Sequence, residues 1–218
     1  MIRRLWRHNG LSITVLSLFA VFLLLQTLAG HQVYLEELRA DGMPEVDLLG
    51  YLTSGHFLEA TFENWESEFL QMGALVVLSV FLFQKGSPES KDPDAHEAVD
   101  REPDPARPGV PWPVRAGGMA RAVYERSLAI ALFSLFGLSL FLHVVGGAAE
   151  LGRERVAEGL PPVTAIGFLF TPDFWFQSMQ NWQSEFLSVG ALVILTVFLR
   201  QKGSPESKPV DESHDSTG

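Results

Sequence analysis

Cysteine is absent from the 218-residue chain. That excludes disulfides, thiolate chemistry and any zinc or iron–sulfur centre with Cys ligands. Positive charge is scarce too: 16 Lys and Arg stand against 26 Asp and Glu, a formal net charge of −10. No nucleic-acid partner is expected, because such proteins carry a basic footprint. The chain also lacks a Gly-rich phosphate loop, an H-E-x-x-H pair and a serine framed as a nucleophile elbow. Its polar residues form no acid–base–nucleophile set, so no enzymatic activity, cofactor or metal is expected.

What the chain has instead is repetition. Residues 64–91 read NWESEFLQMGALVVLSVFLFQKGSPESK and residues 181–208 read NWQSEFLSVGALVILTVFLRQKGSPESK. At a shift of 117 positions they agree at 22 of 28 places, and the same shift carries back through 11–63 against 128–180 with 16 identities in 53. Two copies of one unit are therefore expected, at 1–92 and 118–208. Between them lies a linker (93–117) rich in Pro, Asp, Glu and Gly. It cannot bury enough apolar surface to offset its ordering entropy, so it is predicted to be disordered, like the tail 209–218.

Each unit holds two long apolar segments. A bilayer core of about 30 Å needs roughly 20 helical residues. Leu11–Ala29 and Leu128–Gly146 meet that directly. Counting from Trp65 to Phe83 and from Trp182 to Leu199 restores two more spans, with Trp65 and Trp182 as interfacial anchors. The pattern predicts an all-α integral membrane protein with four transmembrane helices, at about 11–29, 65–83, 128–146 and 182–199. Arg3, Arg4 and Arg7 with Thr27-Leu28-Ala29 weakly resemble a signal peptide. The apolar run is too long for one and its partner at 128–146 is internal, so the segment is expected to be retained.

The two 35-residue connections, 30–64 and 147–181, hold only Arg39, Arg153 and Arg155 of the 16 basic residues. Basic residues favour the cytoplasmic side. Both termini and the linker are thus predicted inside, and the two units become parallel tandem repeats related by an axis along the membrane normal. In each connection a helical extension (31–41, 148–158) is expected to stop at Gly42 or Gly159. The next helix is expected to start at Ser54 or Thr171 as N-cap, with Pro172 at the first helical position.

Three features could carry function. In the shared N-W-x-S-E motif, Asn64, Ser67, Glu68 and Gln71 fall at i, i+3, i+4 and i+7, a polar stripe repeated by Asn181, Ser184, Glu185 and Ser188. Glu59, Glu63 and Glu66 become Phe176, Gln180 and Gln183, which leaves one acid per unit in common. Gln26 and His143 occupy matching positions near the outer ends of their spans, at the expected level of Glu68 and Glu185. The sharp reading is a proton- or cation-handling site with Glu185 and His143 titrating. The plain one is hydrogen-bond glue between helices, or acids at headgroup depth.

The second feature is Q-K-G-S-P-E-S-K, identical at 84–91 and 201–208. Lys85 and Lys202 suit a helix C-terminus and anionic headgroups, Gly86 and Gly203 end the helix, and Pro88 and Pro205 prevent its resumption. Eight identical residues exceed what a helix stop requires. Gln84, Lys85, Gly86, Ser87 and Pro88, with Gln201, Lys202, Gly203, Ser204 and Pro205, are therefore a candidate cytoplasmic partner motif. Third, Gly73-Ala74, Gly190-Ala191, Ser134 and Gly137 are expected to let helices approach closely.

N-W-x-S-E-F-L entering a span and Q-K-G-S-P-E-S-K leaving it, twice, resemble an uncharacterised family of small bacterial membrane proteins known only as a domain of unknown function. The resemblance covers almost the whole chain, including Tyr51-Leu52-Thr53-Ser54-Gly55-His56-Phe57. It implies a multi-pass protein of the bacterial inner membrane and brings no activity, cofactor or catalytic residue. The expected role is structural or interactive, with the lipid bilayer as surroundings and a protein partner or a second copy of the chain as contact. The rival is a small ion channel or proton-coupled carrier using the membrane-edge acids.

Overall fold

A computed structural model of the protein describes residues 2–217, the side chain of Ile2 excepted. Among them the regular structure is helical, with no strand. Three helices are long and apolar enough to cross a membrane. They are α1 (Ile2–Ala40), α6 (Ser127–Ala157) and α8 (Pro172–Phe198). The fourth long helix, α3 (Gly55–Phe81), has 27 residues and, at 1.5 Å per residue, reaches about 40 Å. Glu59, Glu63, Glu66 and Glu68 load its first half, and it is not among the three.

Helix ends follow local chemistry. Helix α1 stops where Gly42 takes φ of 67°, a region only glycine enters freely, and Met43 N–H closes back on Leu38 O at 2.8 Å. Gly159 (φ 78°) ends α6 the same way, with Leu160 N–H on Arg155 O at 2.7 Å. Ser54 Oγ accepts from Phe57 N–H at 3.2 Å, and Thr171 Oγ1 from Phe174 N–H at 3.3 Å, so α3 and α8 begin under hydroxyl caps. Each is preceded by a short helix that the spacing did not announce. Helix α2 (Leu48–Leu52) is capped by Asp47 and α7 (Ala165–Phe168) by Thr164, each oxygen accepting from the N–H three residues on. Within 93–117 lie a one-turn 3-10 helix (Ala98–Asp100) and α4 (Trp112–Ala116), followed by α5 (Gly118–Glu125).

The chain divides into two compact units, one of Met1–Phe62 and Leu142–Phe174, the other of Glu63–Phe141 and Trp175–Gly218. In the first, Tyr51 of α2 is almost fully buried, ringed by His31, Tyr34, His56 and Phe57 at centroid distances of 5.4–5.7 Å. Burial pushes its phenol up to about 12, so the ring is neutral at physiological pH. A Cβ at Gly30 would collide with the Tyr51 hydroxyl, and one at Gly147 with the Phe168 ring. Each short helix thus seats an aromatic ring on a glycine of a long one.

Helices α3 and α6 meet more closely still. A Cβ at Gly55 would lie 2.6 Å from Glu150 N and 2.7 Å from Gly146 O; one at Gly146 would lie 2.6 Å from Glu59 N. This is backbone-to-backbone contact of the small-residue kind. It is not where the sequence put it. Gly137 and Gly190 have open space on their Cβ side, while Gly73 faces the Phe133 ring at 3.2 Å. Arg153 adds an ionic tie between α6 and α1, pairing with Asp41, Glu150 and Glu37 at 2.5, 2.6 and 3.5 Å and lying over the Tyr34 ring at 5.5 Å.

Gly147→Ala is expected to destabilise the protein by about 1–3 kcal/mol through overpacking against Phe168, whereas Gly137→Ala should be neutral or slightly stabilising. Thermal unfolding of the two variants in detergent checks this; equal midpoints would contradict it.

Candidate functional site

The polar stripe of the N-W-x-S-E motif turns only partly inward. Ser67 and Gln71 are buried, while Asn64 and Glu68 lie on the exposed side of α3. In the second copy Asn181 and Glu185 are half-buried and Ser184 and Ser188 exposed. Each serine folds its hydroxyl back on its own helix: Ser67 donates to Asn64 O at 2.7 Å, Ser184 to Asn181 O at 2.8 Å and Ser188 to Glu185 O at 2.8 Å. Glu68 and Glu185 lie within electrostatic reach of one another.

The acid at the centre is Glu66, which the repeat comparison had set aside. It is 0% exposed. Its Oε1 accepts from Ser178 Oγ at 3.2 Å and from Trp182 Nε1 at 3.1 Å. A carboxyl group withdrawn from water is costly unless hydrogen-bonded, and here both donors come from α8. Trp182, expected as an interfacial anchor, is half-buried and spends its indole N–H on this bond. Trp65, its partner in the repeat, is half-buried as well.

Gln26 and His143 belong to the first unit, Glu68 and Glu185 to the second. Gln26 donates its amide to Thr61 Oγ1 at 3.4 Å. His143 is fully buried, with its ring 5.4 Å from Phe174 and 6.0 Å from Phe168. No group of three metal-ligating side chains occurs among the described residues.

The duplicated Q-K-G-S-P-E-S-K motif closes as one turn in both copies. Ser90 Oγ accepts from Gln84 N–H at 2.8 Å, and Ser207 Oγ from Gln201 N–H at 2.9 Å. Ser87 Oγ accepts from Glu89 N–H and Ser204 Oγ from Glu206 N–H, each at 3.2 Å. Gly86 and Gly203 sit at φ of 88° and 86°, where a side chain would be strained. The bonds consume both serines and the turn demands the glycine, so much of the eight-residue identity has a mechanical cause. Lys85 and Lys202 remain exposed.

Around these turns the copies differ. Ser87 is fully buried on Thr196 Oγ1 at 3.2 Å, whereas Ser204 is half-buried. Lys91 pairs with Asp100 at 2.7 Å. Its counterpart Lys208, 2% exposed, donates instead to the carbonyls of Ser213, His214 and Ser216 at 3.0, 3.1 and 2.8 Å. The tail so gathered also reaches Gly86, whose N–H donates to Thr217 Oγ1 at 2.8 Å. Glu89 and Glu206 meet: burial first, then the hydrogen bond and charge of Glu206, raise the Glu89 pKa above its usual 4.5.

Helix, length and apolar composition together define an all-helical protein fit to enter a membrane. The chain belongs to the family described as a domain of unknown function (DUF6766), which matches residues 2–218. No curated protein and no solved structure matches it.

Two outcomes are expected here. Glu66→Gln keeps an acceptor for Ser178 and Trp182 and should stay within about 1 kcal/mol of wild type, while Glu66→Ala strands both donors and should lose about 2 kcal/mol or more; denaturant unfolding in mixed micelles separates them. For Glu89, a folded pKa above the unfolded value means that the folded state holds more protons. Stability should then fall as pH rises from about 4.5 through the raised pKa, and Glu206→Gln should flatten that slope in a pH series of melting temperatures.

Proposed function

We propose that this chain is a structural or interaction protein of the bacterial inner membrane, with no enzymatic activity. On this reading it crosses the bilayer four times as two parallel two-helix units, with both termini and the linker cytoplasmic. Helix α3 is the fourth span. From Phe69 to Phe81 it carries no charge, and the acid nearest its middle that is buried, Glu66, already has its partners. The surfaces offered to a protein partner or a second copy are the paired turns Gln84–Pro88 and Gln201–Pro205, where Gln84, Lys85, Gln201 and Lys202 are exposed.

The observation that carries this reading is the Glu66 node. Its carboxyl oxygen accepts two hydrogen bonds from α8, which is the geometry of fastening rather than of passage. His143 supports the same view, because phenylalanine rings lie against it. One observation favours the rival: Glu68 and Glu185, the acids common to both copies, act on one another electrostatically, as two carboxylates of a cation pathway would.

Proton and monovalent-cation flux in proteoliposomes decides between them. Wild type is expected to show no flux above empty vesicles under either polarity of potential. Flux that Glu68→Gln/Glu185→Gln abolishes would sink the fastening role and install the carrier.

A further inference from the structure

Helix α5 is amphipathic, and among the described residues its apolar face is largely uncovered. At about 100° per residue, Met119 and Val123 share a line, with Ala120 and Tyr124 beside them, while Arg121 and Glu125 occupy the far side. That far side is closed by ion pairs, Arg121 meeting Glu125 at 2.5 Å and Glu102 at 3.0 Å. The apolar side is open. Met119 is 80% exposed, Val123 50% and Tyr124 44%, and Trp112 on the adjoining α4 is 68% exposed. Glycines at 117 and 118, with φ of 69° and 53°, make the corner between these two short helices.

What covers this face follows from where it stands. Helix α5 ends at Glu125 and α6, apolar enough to span, begins at Ser127. Only Arg126 separates them. The eight residues of α5 measure about 12 Å, so its far end cannot leave the neighbourhood of the point where α6 enters the bilayer. The first turn of α6 at that entry is itself exposed and apolar, through Leu128 and Ile130. Charge agrees: residues 111–126 hold three arginines and one glutamate in a chain of net charge −10, and Arg115 and Arg126 are exposed. An apolar face rimmed by arginine, with an indole and a phenol at its edge, matches the headgroup zone of an anionic leaflet.

We propose that α4 and α5 form an interfacial anchor, seated on the membrane face from which α6 departs, with Trp112, Met119, Val123 and Tyr124 among the acyl-chain ends and Arg115 and Arg126 on lipid phosphates. The occupant is lipid. The assignment rests on α6 spanning the bilayer, as proposed above.

The cysteine-free chain makes the test direct. Met119→Cys, Asp104→Cys and Leu135→Cys are each labelled with an environment-sensitive fluorophore in the full-length protein. Each is reconstituted in vesicles of phosphatidylcholine and phosphatidylglycerol. The Met119 probe should be about three-fold less accessible to aqueous iodide than the Asp104 probe and should be quenched by brominated acyl chains; adding Arg115→Glu/Arg126→Glu should raise its iodide access. Equal iodide access at 119 and 104 would overturn the anchor. So would protection at 119 without lipid quenching, which would mean that protein covers the face. An unquenched Leu135 probe would sink the spanning reading as well; a quenched one with an open Met119 would remove the anchor alone.

Discussion

Backbone contact at Gly55 and Gly146 sets the spacing on which the first unit depends. Once α3 and α6 approach until a Cβ at Gly55 would strike Glu150 N, side chains of ordinary size are excluded from the crossing and pushed to its flanks. Gly147, one residue on, then offers its open side to Phe168, and His143, one turn back, fits against Phe168 and Phe174. Arg153, two turns beyond Gly146, reaches Glu37 of α1 and Asp41 just past its end. Without side-chain bulk at the crossing, van der Waals contact and hydrogen bonds can hold helices where lipid supplies no hydrophobic drive.

The second unit is held by different means. Beside the approach of Gly73 to the Phe133 ring, it has buried polar contacts: Glu66 to Ser178 and Trp182, and Ser87 to Thr196. A buried polar group left unpaired costs more than a made bond returns, so such pairs fix which faces of α3 and α8 meet.

The helices and their caps were legible because local chemistry determines them. Gly42, Gly159, Ser54 and Thr171 act as glycine stops and hydroxyl caps wherever they occur in such a context. The short helices α2 and α7 were not legible, since five- and four-residue segments carry no period to detect. The polar stripe shows the limit most clearly. Spacing says that Asn64, Ser67, Glu68 and Gln71 share a face, but not how far that face is rotated toward a neighbour. A rotation toward Glu66 buries an acid whose counterpart is Gln183 and leaves Glu68 outside. The signal that could have found it was chemical: Gln183 and Glu66 can both accept hydrogen bonds, so the position retains an acceptor while losing the charge. Close contact at Gly55 was hidden for another reason, because its repeat counterpart is Pro172 and the comparison of copies erased it.

The meeting of Glu89 with Glu206 bears on how the protein would sit against a charged surface. A pKa raised at Glu89 means that this carboxyl holds its proton to a higher pH than an ordinary glutamate, and a held proton removes one negative charge from the pair. The two motifs hold four lysines, Lys85, Lys91, Lys202 and Lys208, against Glu89 and Glu206, so they are net positive with both carboxyls ionised and more so while Glu89 holds a proton. An anionic surface would attract both forms, the protonated one more strongly. The charge of the turns therefore depends on pH with no change of fold.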